Sequence, residues 1–338
     1  MRNSLYVIGL GITLVSCGSQ NNSKKISATP KPGAKTQLTK PATPIVKPAV
    51  KQEEADFYKV NIADITKNDN TISYGSIVSA KPNNYKVVKT YFPAVAQNFR
   101  QRYVILHYTA LDNDKSVSVL TQQSVSAHYL VNSYDDNEIY LLVDENKRAY
   151  HAGVSNWRND QNLNDISIGI EIVNGGWAAD ATGAKSFPGF PEEQVKKVAS
   201  LVKDIVTRYN IPPTNILAHS DIAPTRKQDP GPMFPWKKLY DEYQIGMWYD
   251  DATKATFLAS MMQEDFLAQY NTPQFIYKIQ TALNKFGYKL DSTAAWDKQT
   301  KQTIEAFQYH FRPKKSDGII DMETWAILQA LMQKYPSK

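Results

Sequence analysis

Strands and helices mixed along one stretch of chain predict an α/β fold, a mixed β-sheet flanked by helices, plus a small C-terminal three-helix domain. Three observations predict it. Tyr103-Val-Ile-Leu106 is a short apolar run of the kind a buried strand shows. Ser167 to Val173 alternates, with Ile168, Ile170 and Ile172 on one face and Ser167, Gly169 and Glu171 on the other. Over 191–209, Val195, Val198, Leu201, Val202, Ile205 and Tyr209 recur at helical spacing, one stripe suited to lie on a sheet.

The 338 residues are 42% hydrophobic and 21% charged, a globular composition with room for about two domains. Arg2 precedes an apolar run from Leu5 to Val15 that fits the core of a signal peptide and is too short to span a membrane. Cys17 is the only cysteine, which excludes an internal disulfide. Leu14-Val15-Ser16-Cys17 resembles a bacterial lipobox, so residues 1–17 read as a lipoprotein signal peptide with Cys17 lipidated. By resemblance to known lipoprotein sorting rules, Gly18 rather than Asp after that cysteine favours the outer membrane, with the protein expected to be lipid-anchored in the cell envelope and facing the periplasm. Residues 18–75 read as a linker and N-terminal extension. Pro30, Pro32, Pro41, Pro44 and Pro48 among Lys, Thr, Ala and Ser give a semi-extended tether with little to bury.

The formal net charge is +6, but residues 1–52 contain Arg2, seven lysines and no acid, a charge of +8, so the remainder carries −2. The folded part lacks a basic stripe for phosphate backbones, and nucleic acid is not an expected partner.

His128-Tyr-Leu-Val131 and Glu138 to Val143 flank a polar turn and read as a hairpin, and Ile216-Leu-Ala218 reads as another short strand. Beyond about residue 250 the pattern becomes purely helical. Thr272-Pro273 is an N-cap with proline at the first helical position, and Ile276, Ile279, Leu283 and Phe286 follow as a stripe ending at Gly287. Asp297 starts a second helix with Ile304, Phe307 and Phe311 inward. Asp321 caps a third carrying Trp325, Leu328 and Leu331, so residues 268–335 read as the three-helix domain.

Two of the five histidines, His107 and His219, stand directly after apolar strands, where the edge of an α/β sheet opens onto ligand sites. Asp229 follows ten residues after His219. Two imidazoles and a carboxylate form the ligand set of an open zinc site, in which a fourth position holds water with a pKa near 7. Glu171, opposite three isoleucines, needs a polar cavity, and beside such a site it would act as general base. Lys227 would reach the same side as Asp229 in an extended stretch and could stabilise an oxyanion. Each residue taken alone also has a structural reading: packed histidines, a turn aspartate before Pro230-Gly231, an edge-strand glutamate, a solvated lysine.

Taken together, five motifs in order resemble the type 2 zinc N-acetylmuramoyl-L-alanine amidases, a superfamily that includes phage amidases and peptidoglycan recognition proteins. They are His107-Tyr-Thr-Ala, Ser126-Ala-His128-Tyr-Leu-Val, Ala149-Tyr-His151-Ala-Gly, Ser167-Ile-Gly-Ile-Glu171-Ile-Val-Asn174 and Ala218-His219-Ser-Asp with Arg226-Lys227-Gln-Asp229-Pro-Gly. The resemblance implies an amidase domain over 76–250 that hydrolyses the amide between the lactyl group of N-acetylmuramic acid and L-Ala of the stem peptide. It implies Zn2+ held by His107, His219 and Asp229, Glu171 as general base and Lys227 as electrostatic partner. His151, His128 and Asn174 become candidates for substrate contact, although the strand position of His128 also suits a supporting hydrogen bond or plain packing. His310, in the helical region, reads as structural. Ile279 to Tyr288, Thr300 to Gln308 and Asp317 to Trp325 resemble the three-helix peptidoglycan-binding domain of wall hydrolases. The sequence departs from that pattern between Leu290 and Trp296, where a Gly-rich connection is commoner. The expected partners are peptidoglycan or muropeptides, and a membrane through the lipid. Two other readings compete: a zinc-free binding protein on the same fold, and a tether between membrane and wall.

Overall fold

The computed structural model describes residues 82–85, 98–183 and 185–337; the leader, Cys17 and the whole linker and extension over 18–75 lie outside the described residues. Among the described residues nine short strands form: β1 (Tyr103–Tyr108), β2 (Tyr129–Val131), β3 (Tyr140–Leu141), β4 (Asn156–Trp157), β5 (Asp160–Gln161), β6 (Ser167–Ile172), β7 (Ala178–Ala179), β8 (Lys185–Ser186) and β9 (Ile216–Ala218). Five of them make one sheet in the order β3-β2-β6-β1-β9. β2, β6, β1 and β9 run parallel and β3 is antiparallel at the edge, so the sheet is mixed. β4/β5 and β7/β8 are separate two-stranded hairpins.

The apolar runs become the sheet centre because both faces are covered. Val104, Ile105, Leu106, Ile168, Ile170 and Ile172 have no exposed surface. The helix expected over 191–209 is α2 (Glu192–Tyr209), following α1 (Asn113–Gln122). Its Val195, Val198, Val202 and Ile205 are buried. Glu192 and Glu193 in its first turn and Arg208 in its last oppose the helix dipole. Gln194 pins it to the sheet, its Nε2 donating to the carbonyl of Val173 at 2.8 Å. The hairpin after His128 is shorter than its alternating residues suggest. The carbonyl of His128 accepts from both Leu142 and Val143, which ends regular pairing at Leu141.

After β9 come α3 (His219–Ile222) and α4 (Trp236–Tyr243), then α5 (Asp251–Ala259), α6 (Gln263–Gln269), α7 (Pro273–Phe286), α8 (Lys298–Phe311) and α9 (Met322–Lys334). The three expected caps form: the Thr272, Asp297 and Asp321 side chains accept from the backbone N–H of Phe275, Thr300 and Thr324. α5 and α6 were not anticipated. They lack a buried stripe, and Phe266, which packs edge-on against Phe275 with ring centres 5.2 Å apart, is their only fully buried residue.

The helical region is not set apart from the sheet. Trp157, wholly buried, meets Phe286 and Tyr288 edge to face at 5.8 and 5.1 Å. Gly287 has no room for a side chain, since a Cβ there would lie 2.7 Å from the Trp157 ring. Arg158 extends the seam: its N–H donates to the Gly287 carbonyl at 2.8 Å, and its guanidinium donates to the carbonyls of Phe286 and Tyr335. One hydrophobic core therefore runs through sheet and C-terminal helices. Among the described residues no helix is long and apolar enough to cross a membrane.

Candidate active site

Parallel register assembles the site. β1 and β6 pair with His107 opposite Glu171, which puts the two side chains on the same face of neighbouring strands. On the other side of β1, Leu106 pairs with Ala218, so the next residue, His219, leaves β9 level with His107 and opens α3. Asp229 is brought back by its own carbonyl, which accepts from the Ser220 N–H at 3.0 Å.

His107 Nδ1 lies 2.8 Å from His219 Nδ1 and 3.0 Å from Asp229 Oδ2, and His219 Nδ1 lies 2.9 Å from the same carboxylate oxygen. All three side chains are buried. The partners on the far side of each ring fix which nitrogens carry protons. Ser167 Oγ donates to the Leu163 carbonyl at 2.5 Å, so it accepts from His151 Nε2–H at 3.1 Å. His151 Nδ1 is then an acceptor and takes the proton of His107 Nε2 at 3.0 Å, which leaves a lone pair on His107 Nδ1. His219 Nε2 donates to the Ala152 carbonyl at 3.1 Å, which likewise leaves a lone pair on His219 Nδ1.

Three acceptors thus converge with no proton between them. Such a cluster repels itself in a buried site unless a cation sits among its members. The mutual distances are a few tenths of an ångström below the roughly 3.3 Å expected around tetrahedral zinc with bonds of about 2.0 Å. The residues present fit a divalent metal, and His107, His219 and Asp229 are the group among the described residues able to hold one. Electrostatics agree. Burial, and then the neighbouring His219, push the His107 imidazole down to about 4, so it is neutral as a ligand must be.

Glu171 Oε2 is buried without a hydrogen-bond partner. Burial first, and the Asp229 carboxylate second, raise its carboxyl well above the usual range, against the pull of Lys227. Glu171, Lys227, Asp229, His151, Tyr108 and Tyr150 line a cavity of about 230 Å³. A buried carboxyl aimed into a cavity beside a cation site is suited to moving protons.

The side chains of the other expected site residues are held by partners within the fold. His151 stands behind His107 with both ring nitrogens committed to the protein, so it offers the cavity only its ring edge. Gly169 makes that placement feasible, since a Cβ there would lie 2.3 Å from the His151 ring. His128 is not among the cavity-lining residues: its Nδ1 accepts from the Gly169 N–H at 3.0 Å and its Nε2 donates to the Lys147 carbonyl at 3.1 Å. Asn174 is also away from the cavity lining. It accepts from Gly176 and donates to the Gly189 carbonyl, closing the base of the excursion that carries β7 and β8. Sequence reasoning missed Ser167, Tyr108 and Arg226. Arg226 donates to the Ala152 and Val154 carbonyls at 2.6 and 3.0 Å and so backs the loop that His219 leans on. All three stand inside the motifs quoted above, and that membership is the signal that could have found them.

Comparison with known proteins follows the same division of the chain. Residues 97–232 match the family profile for N-acetylmuramoyl-L-alanine amidase, and residues 272–328 match that of a putative peptidoglycan binding domain. The N-acetylmuramoyl-L-alanine amidase AmiD of Escherichia coli is 42% identical over 243 residues, which is 70% of this chain and 84% of AmiD. The structure is similar to that of E. coli AmiD in complex with the substrate anhydro-N-acetylmuramic acid-L-Ala-D-gamma-Glu-L-Lys, with a TM-score of 0.68 and 39% identity over 76% of this chain and 98% of that one. It is also similar to AMPDH3 of Pseudomonas aeruginosa in complex with anhydromuramic pentapeptide, with a TM-score of 0.64 and 41% identity over 77% of this chain and all of the other.

Proposed function

The chain belongs to the N-acetylmuramoyl-L-alanine amidase family, and from that premise we propose that it hydrolyses the amide joining the lactyl group of N-acetylmuramic acid to L-Ala in peptidoglycan or its muropeptides. The observation that carries the mechanism is the convergence of three lone-pair donors, His107 Nδ1, His219 Nδ1 and Asp229 Oδ2, beside the unpartnered Glu171 carboxyl. His107, His219 and Asp229 would hold Zn2+. When bound, zinc supplies a water acidic enough to attack at neutral pH and polarises the carbonyl under attack.

The remaining work falls to the chain's own side chains. Glu171 accepts the proton that the attacking water loses as its oxygen bonds to the lactyl carbonyl carbon. It then delivers that proton to the L-Ala nitrogen as the C–N bond breaks, so acid and amine separate with no net proton change at the enzyme. Lys227 directs its ammonium toward the carbonyl oxygen, which carries negative charge only in the tetrahedral transition state. Asp229, as an anionic ligand, would lower the net charge of a bound cation. His151 keeps His107 in the tautomer that binds metal.

Glu171→Gln tests the assignment. It keeps the zinc content and lowers kcat on a soluble muropeptide by about 10²–10⁴-fold. Mass analysis of wild-type products should give free stem peptide and an intact sugar. Near wild-type turnover in Glu171→Gln would remove the general base from the scheme.

The leader motif around Cys17 supports placement of this activity at the envelope, with a lipid holding the chain to the outer membrane and the Pro/Lys-rich segment reaching toward the wall. Cys17→Ala should move the protein from the membrane fraction to the soluble one, and unchanged fractionation would refute the anchor. Residues 272–328 are read as a contact to the same wall polymer.

A further inference from the structure

The turn that bears two of the three ligands is held from behind by the C-terminal helices. α3 begins at His219, and the Ser220 N–H fixes the Asp229 carbonyl. The next residue, Asp221, points away from the metal centre into the protein and has no exposed surface. Its carboxylate receives three donors. Ala218 N–H reaches Oδ2 at 2.9 Å, His310 Nδ1 reaches the same oxygen at 2.7 Å, and Tyr288 OH reaches Oδ1 at 2.6 Å. Only Ala218 is local. Tyr288 follows α7 and His310 lies in α8, and both are buried. The His310 ring is itself fixed, stacked on Trp236 with centres 3.9 Å apart and planes 19° from parallel.

A carboxylate this deep is tolerated only while its donors stay in place. The position of Asp221, and with it the direction in which His219 leaves β9, is therefore set by two side chains that lie far along the chain. These side chains have no part in the proton transfers of the proposed hydrolysis.

We propose that Tyr288 and His310 are positioning residues for the metal centre: through Asp221 they aim His219 and Asp229, so that the C-terminal helices complete the catalytic site in addition to any contact they make with the wall. This rests on the amidase reading and gives the helical region a second task within it. A module added only for wall binding would leave the soluble reaction and the metal affinity untouched.

The test uses full-length protein with Tyr288→Phe, His310→Phe and His310→Asn. Zinc affinity is read by competition with a chromophoric chelator, ligand geometry by the visible absorption of the Co(II)-loaded protein, and folding by thermal melts. Tyr288→Phe and His310→Phe should each weaken zinc binding about 10-fold or more, as loss of outer-shell support does, and should alter the cobalt bands. His310→Asn presents an amide N–H where the ring Nδ1–H was and should recover most of the affinity. Should His310→Phe fail to fold, Tyr288→Phe decides, because it removes one oxygen atom and keeps the ring. Wild-type zinc affinity and an unchanged cobalt spectrum in folded Tyr288→Phe and His310→Phe would overturn the proposal. Wild-type protein that binds no zinc and cleaves no muropeptide would instead overturn the functional reading beneath it.

Discussion

Gly169→Ala isolates the support behind His107. The position has an ordinary backbone conformation, so alanine adds one methyl group and no backbone strain. That methyl would lie 2.3 Å from His151 Cγ and 2.5 Å from Cδ2 and Nδ1, more than an ångström inside normal contact. The ring cannot swing aside freely, because His107 holds one nitrogen and Ser167 the other. Overpacking of this kind costs about 1–3 kcal/mol. The displaced ring leaves His107 Nε2–H buried without an acceptor, at about another 1–3 kcal/mol. A combined loss of roughly 2–6 kcal/mol lowers the melting temperature on the order of 10 °C at 2–4 °C per kcal/mol. With its tautomer no longer fixed, His107 should bind zinc about 10–100-fold more weakly. The assays are thermal melts of chelator-stripped protein and a zinc competition titration. His151→Ala in the same background separates the two effects. It should restore part of the melting temperature, because the clash goes with the ring, but none of the zinc affinity, because His107 still lacks its partner. Additive melting losses in the double variant would refute the clash. Full zinc affinity in Gly169→Ala would refute the relay.

His107→Ala should abolish both stoichiometric zinc in purified protein and turnover; activity retained in zinc-free protein would contradict the mechanism. Lys227→Met should lower kcat by about 10²–10³-fold with little change in KM, the signature of a group that acts on the transition state. A raised KM alone would make it a substrate contact. Glu145 tests the fold rather than the site. Burial alone would raise its carboxyl, but Arg208, Tyr129 and Tyr209 donate to it and hold it below the ordinary range. A depressed carboxyl contributes stability that is present above the unfolded value of about 4.3 and lost as pH falls through the folded value. The melting-temperature gap between wild type and Glu145→Gln should therefore be widest near neutrality and narrow below about pH 4, and a gap independent of pH would refute the linkage.

What could be read from the sequence had local causes. A strand face shows as alternation, which is why Glu171 stood out against three isoleucines. A cap shows as one polar residue before a stripe, which is why Thr272, Asp297 and Asp321 mark the helix starts that the structure has. Histidines after apolar runs mark strand ends, but position alone left each with a structural reading; the resemblance of five ordered motifs implied that His107 and His219 share a site, and their Nδ1 atoms lie 2.8 Å apart. What stayed hidden depends on partners remote in sequence. His128 and Asn174 look like site residues because they sit inside motifs, yet their side chains are committed to backbone groups that no spacing reveals. α5 and α6 carry almost no buried stripe, so periodicity could not announce them. The small requirement at Gly169 exists only once the His151 ring is there.

The two imidazole ligands have separate supports on opposite sides, and Glu171 needs neither. His107 is steadied from the sheet interior through His151 and Ser167, a chain that ends on a backbone carbonyl and so has only one arrangement of protons. His219 is steadied from the C-terminal helices through Asp221. Glu171 is set by strand register alone, directly opposite His107. Damage to the relay or to the brace should therefore act on metal affinity while the general base keeps its place, and damage at Glu171 should spare the metal. His107 Nδ1, His219 Nδ1 and Asp229 Oδ2 converge only in the folded chain, so metal binding should stabilise the fold.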